Sequence, residues 1–158
     1  AGTAGEAGHM IVQPGGRSCP CGNHGCLEQY ISEPAVLSRY RELSGRTPVS
    51  IDHLVWAYNQ KETAALAVTD EFTTYLACGI NNLWNLFSPE CIILNCQLTA
   101  YLPQLLPEIL QKLSPRFRAT CHLKLSTLQD TGVLLGAAKV CISKYLGTEK
   151  LYFSGLQP

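Results

Sequence analysis

The chain has 158 residues, of which 46% are hydrophobic and 15% charged, and its formal net charge is zero at pH 7. This composition can supply a hydrophobic core and excludes disorder as the dominant state. The neutral balance argues against direct nucleic-acid binding by this segment, because phosphate contacts need clustered lysine and arginine. Every apolar run is shorter than the roughly 18 residues of a spanning helix, so no membrane partner is predicted.

The amino-terminal segment is glycine-rich and leads into a predicted strand. Residues 1–5 carry no basic flank and no long apolar region, so they do not form a signal peptide. Because the chain opens on Ala1 rather than on Met, we expect an excised piece of a longer protein. Residues 6–13 are predicted to form a strand, which the sequence Pro-Gly-Gly at 14–16 ends.

A cysteine- and glycine-rich loop follows this predicted strand. Cys19, Cys21 and Cys26 lie within eight positions, and His9 precedes them. Three thiolates and one imidazole form a tetrahedral donor set that selects zinc over magnesium or calcium. The pattern therefore predicts that these four side chains bind zinc. His24, inside the loop, is the rival fourth ligand.

The remaining cysteines sit singly in apolar surroundings, where free thiols behave as small hydrophobic groups. They are Cys78, Cys91, Cys96, Cys121 and Cys141. A dense cluster with scattered thiols suits a reducing cytoplasm and a metal site better than a secreted disulfide framework. We therefore predict a cytoplasmic protein. A redox cysteine pair and ordinary buried thiols are the alternatives to zinc.

Helices are predicted over most of the middle of the chain. The first extends from about Gly25 into Tyr30, and the second starts at residues 32–34 and ends at Gly45. A third helix has Ser50 as its N-cap. The longest helix, expected to run from about Glu62 to Phe87, has an apolar stripe that is predicted to face the core, with subunit pairing as the alternative. The stripe consists of Phe72, Leu76, Ile80, Leu83 and Phe87, with Trp84 beside it.

Two short strands are predicted in the second half. Residues 91–94 form an apolar, β-branched run typical of a strand buried on both faces, and residues 121–126 alternate as a strand does. One helix is predicted over 102–113, and a final helix over 131–145 carries the small residues 136–138. Helices alternating with buried strands indicate an α/β layered domain with a partly parallel sheet.

Acidic residues accompany the cysteine loop on both sides. Glu6 lies three positions before His9, and Glu28 follows Cys26 by two. Closure of the loop on a metal would bring Glu28 near His9, where charged carboxylates accept strong hydrogen bonds from a polyol. The alternative is that both carboxylates are solvated ends of elements, or that Glu28 caps a helix.

The loop resembles the signature of the ROK family of repressors, open reading frames and sugar kinases. That signature, G-E-x-G-H followed by C-x-C-G-x-x-G-C-x-E, matches Gly-Glu-Ala-Gly-His at 5–9 and Cys-Pro-Cys-Gly-Asn-His-Gly-Cys-Leu-Glu at 19–28. The resemblance implies an actin-like, ribonuclease-H-like bilobal fold. Residues 1–146 would be its second lobe, without the first, and residues 147–158 a loosely ordered tail.

The resemblance also implies roles for the residues of the loop. Zinc would be held within segment 9–28 by the four ligands named above, and sugar hydroxyls would be contacted by Glu6, His9 and Glu28. His9 would serve both, with one ring nitrogen on zinc and the other facing the sugar.

The choice between kinase and repressor depends on what the chain lacks. The phosphate loop and catalytic base of family kinases belong to the first lobe, so no catalytic residue is predicted here and the fragment should not phosphorylate a sugar. Family kinases usually carry consecutive glycines after the strand at 91–94, where this chain has Asn95, Cys96 and Gln97. Such side chains would crowd a nucleotide.

This departure favours the sugar-sensing part of a transcriptional repressor that responds to a sugar or sugar derivative. Such a protein is expected to be a homo-oligomer that contacts DNA only through an N-terminal helix-turn-helix outside this chain. One alternative is a fragment of an ATP-dependent kinase of a hexose or N-acetylhexosamine. Another is a zinc-stabilised interaction module without a small ligand.

Overall fold

The structure, a computed structural model, describes residues 5–47, 49–128 and 131–148. After a 3₁₀ turn at Ala7–His9, eight helices and two strands follow within these residues: α1 Glu28–Ile31, α2 Glu33–Ser44, α3 Ile51–Asn59, α4 Thr63–Phe87, β1 Cys91–Leu94, α5 Gln97–Tyr101, α6 Leu105–Lys112, α7 Pro115–Thr120, β2 His122–Leu125 and α8 Thr131–Leu146. The predicted loose tail lies outside the described residues from 149 onward.

The amino-terminal segment does not form the strand expected over residues 6–13. Ala7–His9 is a 3₁₀ turn, and the segment then runs beside the returning cysteine loop. The backbone N–H groups of Val12 and Gln13 both donate to the carbonyl of Gly25, at 2.9 and 3.2 Å. Because two donors share one acceptor, no regular strand ladder can form there.

Two helices begin at serine N-caps, of which the sequence predicted the one at Ser50. The Ser32 hydroxyl accepts a hydrogen bond from the backbone N–H of Ala35, and that of Ser50 accepts one from His53. Gly45 ends α2 in the left-handed region, with φ of 68°. The first predicted helix is shorter than expected, because the chain stays in the loop until Glu28.

The long helix α4 forms the centre of the core and packs against α1, α2, α3 and α6. Trp84, near its end, makes an edge-to-face contact with Phe117, with ring centroids 5.8 Å apart. Phe87 is 73% exposed. The core interpretation is therefore confirmed for the first part of the stripe and for Trp84, whereas Leu83 is only half-buried. The first three stripe residues are buried: Phe72, Leu76 and Ile80.

The strands β1 and β2 pair in parallel, with Cys91 opposite His122 and Leu94 opposite Leu125. The expectation that β1 is buried on both faces is wrong. Ile93 is 65% exposed, since alternate side chains of a strand point to opposite faces and the described helices cover one of them.

The connection between the strands has three helices where the sequence predicted one. Pro103 follows the end of α5, and its ring prevents the helix from continuing. The start of α7 is capped by Ser114, whose hydroxyl accepts from the N–H of Phe117 at 3.1 Å. No helix within the described ranges is long and apolar enough to span a membrane.

Candidate functional site

The cysteine loop is a hairpin held by its own backbone hydrogen bonds. The N–H of Cys19 donates to the carbonyl of Asn23, and the N–H of Gly22 donates back to Cys19, both at 2.9 Å. At the neck of the loop, the N–H of Gly25 donates to the carbonyl of Arg17 at 2.7 Å. These bonds reverse the direction of the chain, so the cysteines before and after the turn lie on the same side of the hairpin.

The hairpin brings together the four predicted metal ligands. The Sγ atoms of Cys19, Cys21 and Cys26 and a ring nitrogen of His9 all lie within 4.8 Å of one another. The Nδ1 atom of His9 is 3.6 Å from Sγ of Cys19, and Sγ of Cys21 is 3.6 Å from Sγ of Cys26. Tetrahedral zinc, with bonds of about 2.3 Å to sulfur and 2.0 Å to nitrogen, needs neighbouring ligands about 3.5–3.8 Å apart. The donor set and its spacing fit such an ion.

The thiols differ in how readily they ionise. A hydrogen bond from the backbone of Asn23 is the main cause that lowers the pKa of the exposed Cys21 to about 7. Burial is the main cause that raises the pKa of Cys26 to about 12. The metal-free loop therefore disfavours the thiolate form of Cys26. A divalent cation would reverse this preference, because it stabilises the charged sulfurs.

Of the two predicted carboxylates, Glu28 lies beside the cluster. Its Oε1 atom is 4.0 Å from Sγ of Cys19 and accepts a hydrogen bond from the side chain of Gln29 at 3.0 Å. Glu6 is exposed at the start of the 3₁₀ turn, where its carbonyl accepts the N–H of His9 at 3.0 Å. Glu28 and His9 thus both flank Cys19, whereas Glu6 is connected only to His9, through the backbone.

The rival ligand His24 is exposed and lies outside the cluster within the described residues. It forms an isolated antiparallel bridge with Ser18 on the opposite arm of the hairpin. His24 therefore contributes its backbone to the loop, whereas His9 contributes its ring.

Sequence reasoning missed the group that fastens the loop to the core. The guanidinium of Arg17 pairs with the carboxylate of Glu71 on α4, and it also donates to the carbonyl of Gln29 at 2.8 Å. Glu71 accepts a second hydrogen bond, from Nε of Arg39 on α2, at 3.2 Å. The one signal in the sequence was a carboxylate directly beside the apolar stripe of the longest helix.

One cleft reaches the site at Glu28, and another adjoins that cleft at the end of β1. The first, of about 440 Å³, runs from Glu28 along α2 and α4 to the end of β1. The second, of about 60 Å³, lies at the carboxyl ends of β1 and β2 and is lined in part by Asn95, Cys96 and Gln97. In open α/β sheets ligands bind outside the carboxyl ends of the strands, so the second cleft marks a candidate ligand position.

The similarities to known proteins agree with this geometry. The profile of the ROK family matches residues 1–144. The chain belongs to the ROK family. The resemblance seen at 5–28 is thereby confirmed, and so is the α/β class.

The relatives of this ROK chain include both regulators and kinases. The xylose repressor of Bacillus spizizenii is 30% identical over 158 residues, which cover 95% of this chain and 40% of the repressor. The glucokinase of Thermotoga maritima is 29% identical over 157 residues, which cover 88% of this chain and 49% of the kinase. The chain therefore spans about half the length of these relatives or less.

Among solved structures, the fold is similar to that of the ROK hexokinase from Thermus thermophilus. The TM-score is 0.71 at 27% identity, over 87% of this chain and 47% of the hexokinase. Because repressors and kinases share this fold, membership of the family does not choose between them.

Proposed function

We propose that this ROK chain is the C-terminal sugar-sensing and oligomerisation part of a sugar-responsive transcriptional regulator. The observation that carries the proposal is the cluster of three thiols and one imidazole, with the Glu28 carboxylate 4.0 Å from the nearest thiol. Zinc on His9, Cys19, Cys21 and Cys26 would be structural. The xylose repressor relative supports a regulator as the parent.

Zinc would stabilise the folded loop, because the loop has too few buried side chains to be held by packing alone. Within the hairpin, Cys19, Gly25 and Cys26 are buried, whereas Cys21 to His24 are exposed. Closure of such a loop by zinc is worth on the order of 10 kcal/mol at neutral pH. The metal would thereby fix the positions of the groups that flank Cys19.

A sugar would be bound by the carboxylates and the imidazole around the metal. Nδ1 of His9 faces the cysteines, so zinc on this atom would leave Nε2 as the nitrogen that faces a ligand. Metal binding would also set the tautomer of the ring. Glu28, and Glu6 from the adjoining turn, would accept hydrogen bonds from sugar hydroxyls, and charged acceptors make these bonds strong.

The crevice after β1 supports a regulator rather than a kinase. Its volume of about 60 Å³ is small, and the side chains of Asn95, Cys96 and Gln97 line it. Cys96 is extended, with φ of −142°, and α5 starts directly after it. A phosphate cradle commonly uses glycine so that backbone N–H groups can approach the anion.

The regulator would act by changing the arrangement of its parts. DNA would be contacted by a helix-turn-helix outside this chain, and sugar binding would favour one arrangement of the lobes over another. Exposed apolar side chains on α8, among them Val133 and Leu134 at 76% and 72%, support burial of that helix against another chain or another part of the protein.

Since the chain is also similar to a glucokinase and a hexokinase, the alternative to a regulator is a fragment of a ROK sugar kinase. Calorimetric titration of the full-length protein with xylose, glucose and N-acetylglucosamine, and separately with ATP, decides between them. A regulator binds sugar without ATP, and Glu28→Gln weakens this binding at least tenfold, whereas Asp52→Asn on the surface of α3 does not. Tight ATP binding with sugar phosphorylation would establish the kinase. An unchanged sugar response in Glu6→Gln and Glu28→Gln variants would favour a zinc-stabilised interaction module.

A further inference from the structure

One arginine spans the neck of the cysteine loop. Arg17 precedes Cys19 by two positions, and its guanidinium donates to the carbonyl of Gln29, three positions after Cys26, at 2.8 Å. The same guanidinium lies over the ring of Tyr30, 4.5 Å from its centroid, while the backbone N–H of Arg17 donates to the Tyr30 hydroxyl at 3.0 Å. Arg17 therefore holds together the two chain segments that enter and leave the loop.

The other end of this contact is the core. Nη2 of Arg17 pairs with Oε1 of Glu71, which lies on the long helix α4. Tyr30 is also tied to α4, because its ring stacks on Tyr75 with centroids 4.0 Å apart. Both contacts therefore fix the orientation of the loop relative to one helix, α4.

The held segment also orients the site. The side chain of Gln29 donates to Oε1 of Glu28 at 3.0 Å and approaches Sγ of Cys19 to 3.7 Å. We propose that Arg17, anchored by Glu71, is a positioning residue that sets the geometry of the metal ligands and of Glu28. This inference rests on the function proposed above.

Arg39 is a matched control for Arg17, because both arginines form an ion pair with Glu71. Its Nε donates to Glu71 at 3.2 Å, which ties α2 to α4, and its Nη1 donates to Glu42 within α2 at 3.0 Å. The side chains of Arg39 and Arg17 are 34% and 32% exposed, so both ion pairs are screened alike by solvent. A general effect of losing an ion pair to Glu71 would appear in variants of both residues, whereas a positioning effect would appear in Arg17 variants alone.

The test measures coordination as well as stability. The full-length protein is loaded with Co²⁺ to record the cobalt–thiolate absorption, and with Zn²⁺ to follow transfer to a chromophoric chelator. Because removal of a group that orients metal ligands typically weakens affinity about 10- to 100-fold, Arg17→Ala should release zinc faster by a similar factor and change the cobalt spectrum. Arg39→Ala should release zinc within about threefold of the wild-type rate with an unchanged spectrum, and the thermal unfolding of both variants is recorded alongside.

A second variant covers the case in which Arg17→Ala does not fold. Arg17→Lys keeps a positive charge near Glu71 but lacks the fork that reaches Glu71 and the Gln29 carbonyl together, so it should show a smaller change of the same kind. Equal release rates and spectra for Arg17→Lys and Arg39→Lys would overturn the inference. A wild-type protein without stoichiometric metal would contradict the zinc site itself, and the inference would fall with it.

Discussion

Gly25 lies directly against the carbonyl oxygen of Gln13, with no space for a side chain between them. A Cβ atom on Gly25 would be 1.7 Å from that oxygen, and the φ of Gly25 is 82°. The contact closes the neck of the loop that carries the candidate metal ligands. The loop can form only with glycine at this position, because glycine has a hydrogen atom where every other residue has a Cβ.

Gly25→Ala should therefore prevent the loop from closing and abolish metal binding. The backbone bonds from Val12 and Gln13 to Gly25 would be displaced along with the bond to Arg17. Gly22→Ala is the matched control, since Gly22 also has a positive φ, of 92°, but its Cβ would meet no atom within 4 Å. That control should lose only about 1 kcal/mol of stability from backbone strain and keep its metal. Elemental analysis of both purified proteins checks this, and equal zinc contents would contradict it.

The thiols of the metal-free protein should differ in reactivity with pH. The pKa of Cys21 is lowered to about 7, chiefly by the backbone of Asn23, and that of Cys26 is raised to about 12, chiefly by burial. As pH rises through 7, Cys21 becomes a thiolate and should be alkylated by iodoacetamide, while Cys26 stays protonated and unreactive. Peptide mapping by mass spectrometry measures both rates.

Zinc provides the control for this measurement. Metal loading should protect Cys21 from alkylation and leave Cys91, which is exposed on β1 outside the site, as reactive as before. If Cys26 is modified as fast as Cys21 at pH 7, the assignment of these two environments is wrong.

The cluster of one histidine and three cysteines could be predicted from the sequence because its members are close together in the chain. The spacing of the cysteines and the glycines between them are local signals, and they are sufficient to single out His9, Cys19, Cys21 and Cys26. The cap predicted at Ser50 is local in the same way.

Features that depend on distant partners were not predictable. The composition of residues 6–13 predicts a strand, yet their hydrogen bonds lie within the 3₁₀ turn or go to the loop that follows, and none joins a sheet. The contact between Arg17 and Glu71 joins residues 54 positions apart. The residue pattern around either one does not indicate the other as its partner. Similarly, the exposure of Ile93 depends on which elements cover β1, which its own apolar sequence does not reveal.

Tyr58→Phe should lower stability below about pH 10 and flatten its pH dependence above that value. The buried hydroxyl of Tyr58 donates to Oε1 of Glu108 at 2.9 Å, and burial is the main cause that raises the pKa of Tyr58 to about 12. Because the folded-state pKa lies above the unfolded value of about 10, the contribution is complete below pH 10 and is lost as pH rises toward 12. Loss of the bond should cost about 1–3 kcal/mol.

Urea unfolding of the full-length protein at pH 8 and at pH 10.5 measures this difference. Tyr101→Phe, whose side chain is 53% exposed on α5, is the control and should stay within about 0.5 kcal/mol of the wild type. The same loss of stability in both variants would show that the hydrogen bond to Glu108 contributes nothing specific.

Glycines in the crevice after β1 should restore nucleotide affinity if side chains there are what excludes it. Asn95 and Cys96 line both the crevice of about 60 Å³ and the neighbouring cleft of about 440 Å³. Replacing both by glycine removes two side chains and frees the backbone to approach a phosphate. The full-length wild-type protein should show no ATP binding at millimolar concentration, and the double glycine variant should bind at least tenfold more tightly.

The matched control keeps side chains of similar size, as Asn95→Gln with Cys96→Ser, and should behave as the wild type does. Calorimetric titration with ATP measures all three proteins, and sugar titration shows whether the pocket around Glu28 is intact in each. Strong ATP binding by the wild type would contradict the regulator directly. If the glycine variant binds sugar normally and still ignores ATP, the side chains after β1 are not the reason for the lost affinity, and the case for a regulator must depend on its sugar response alone.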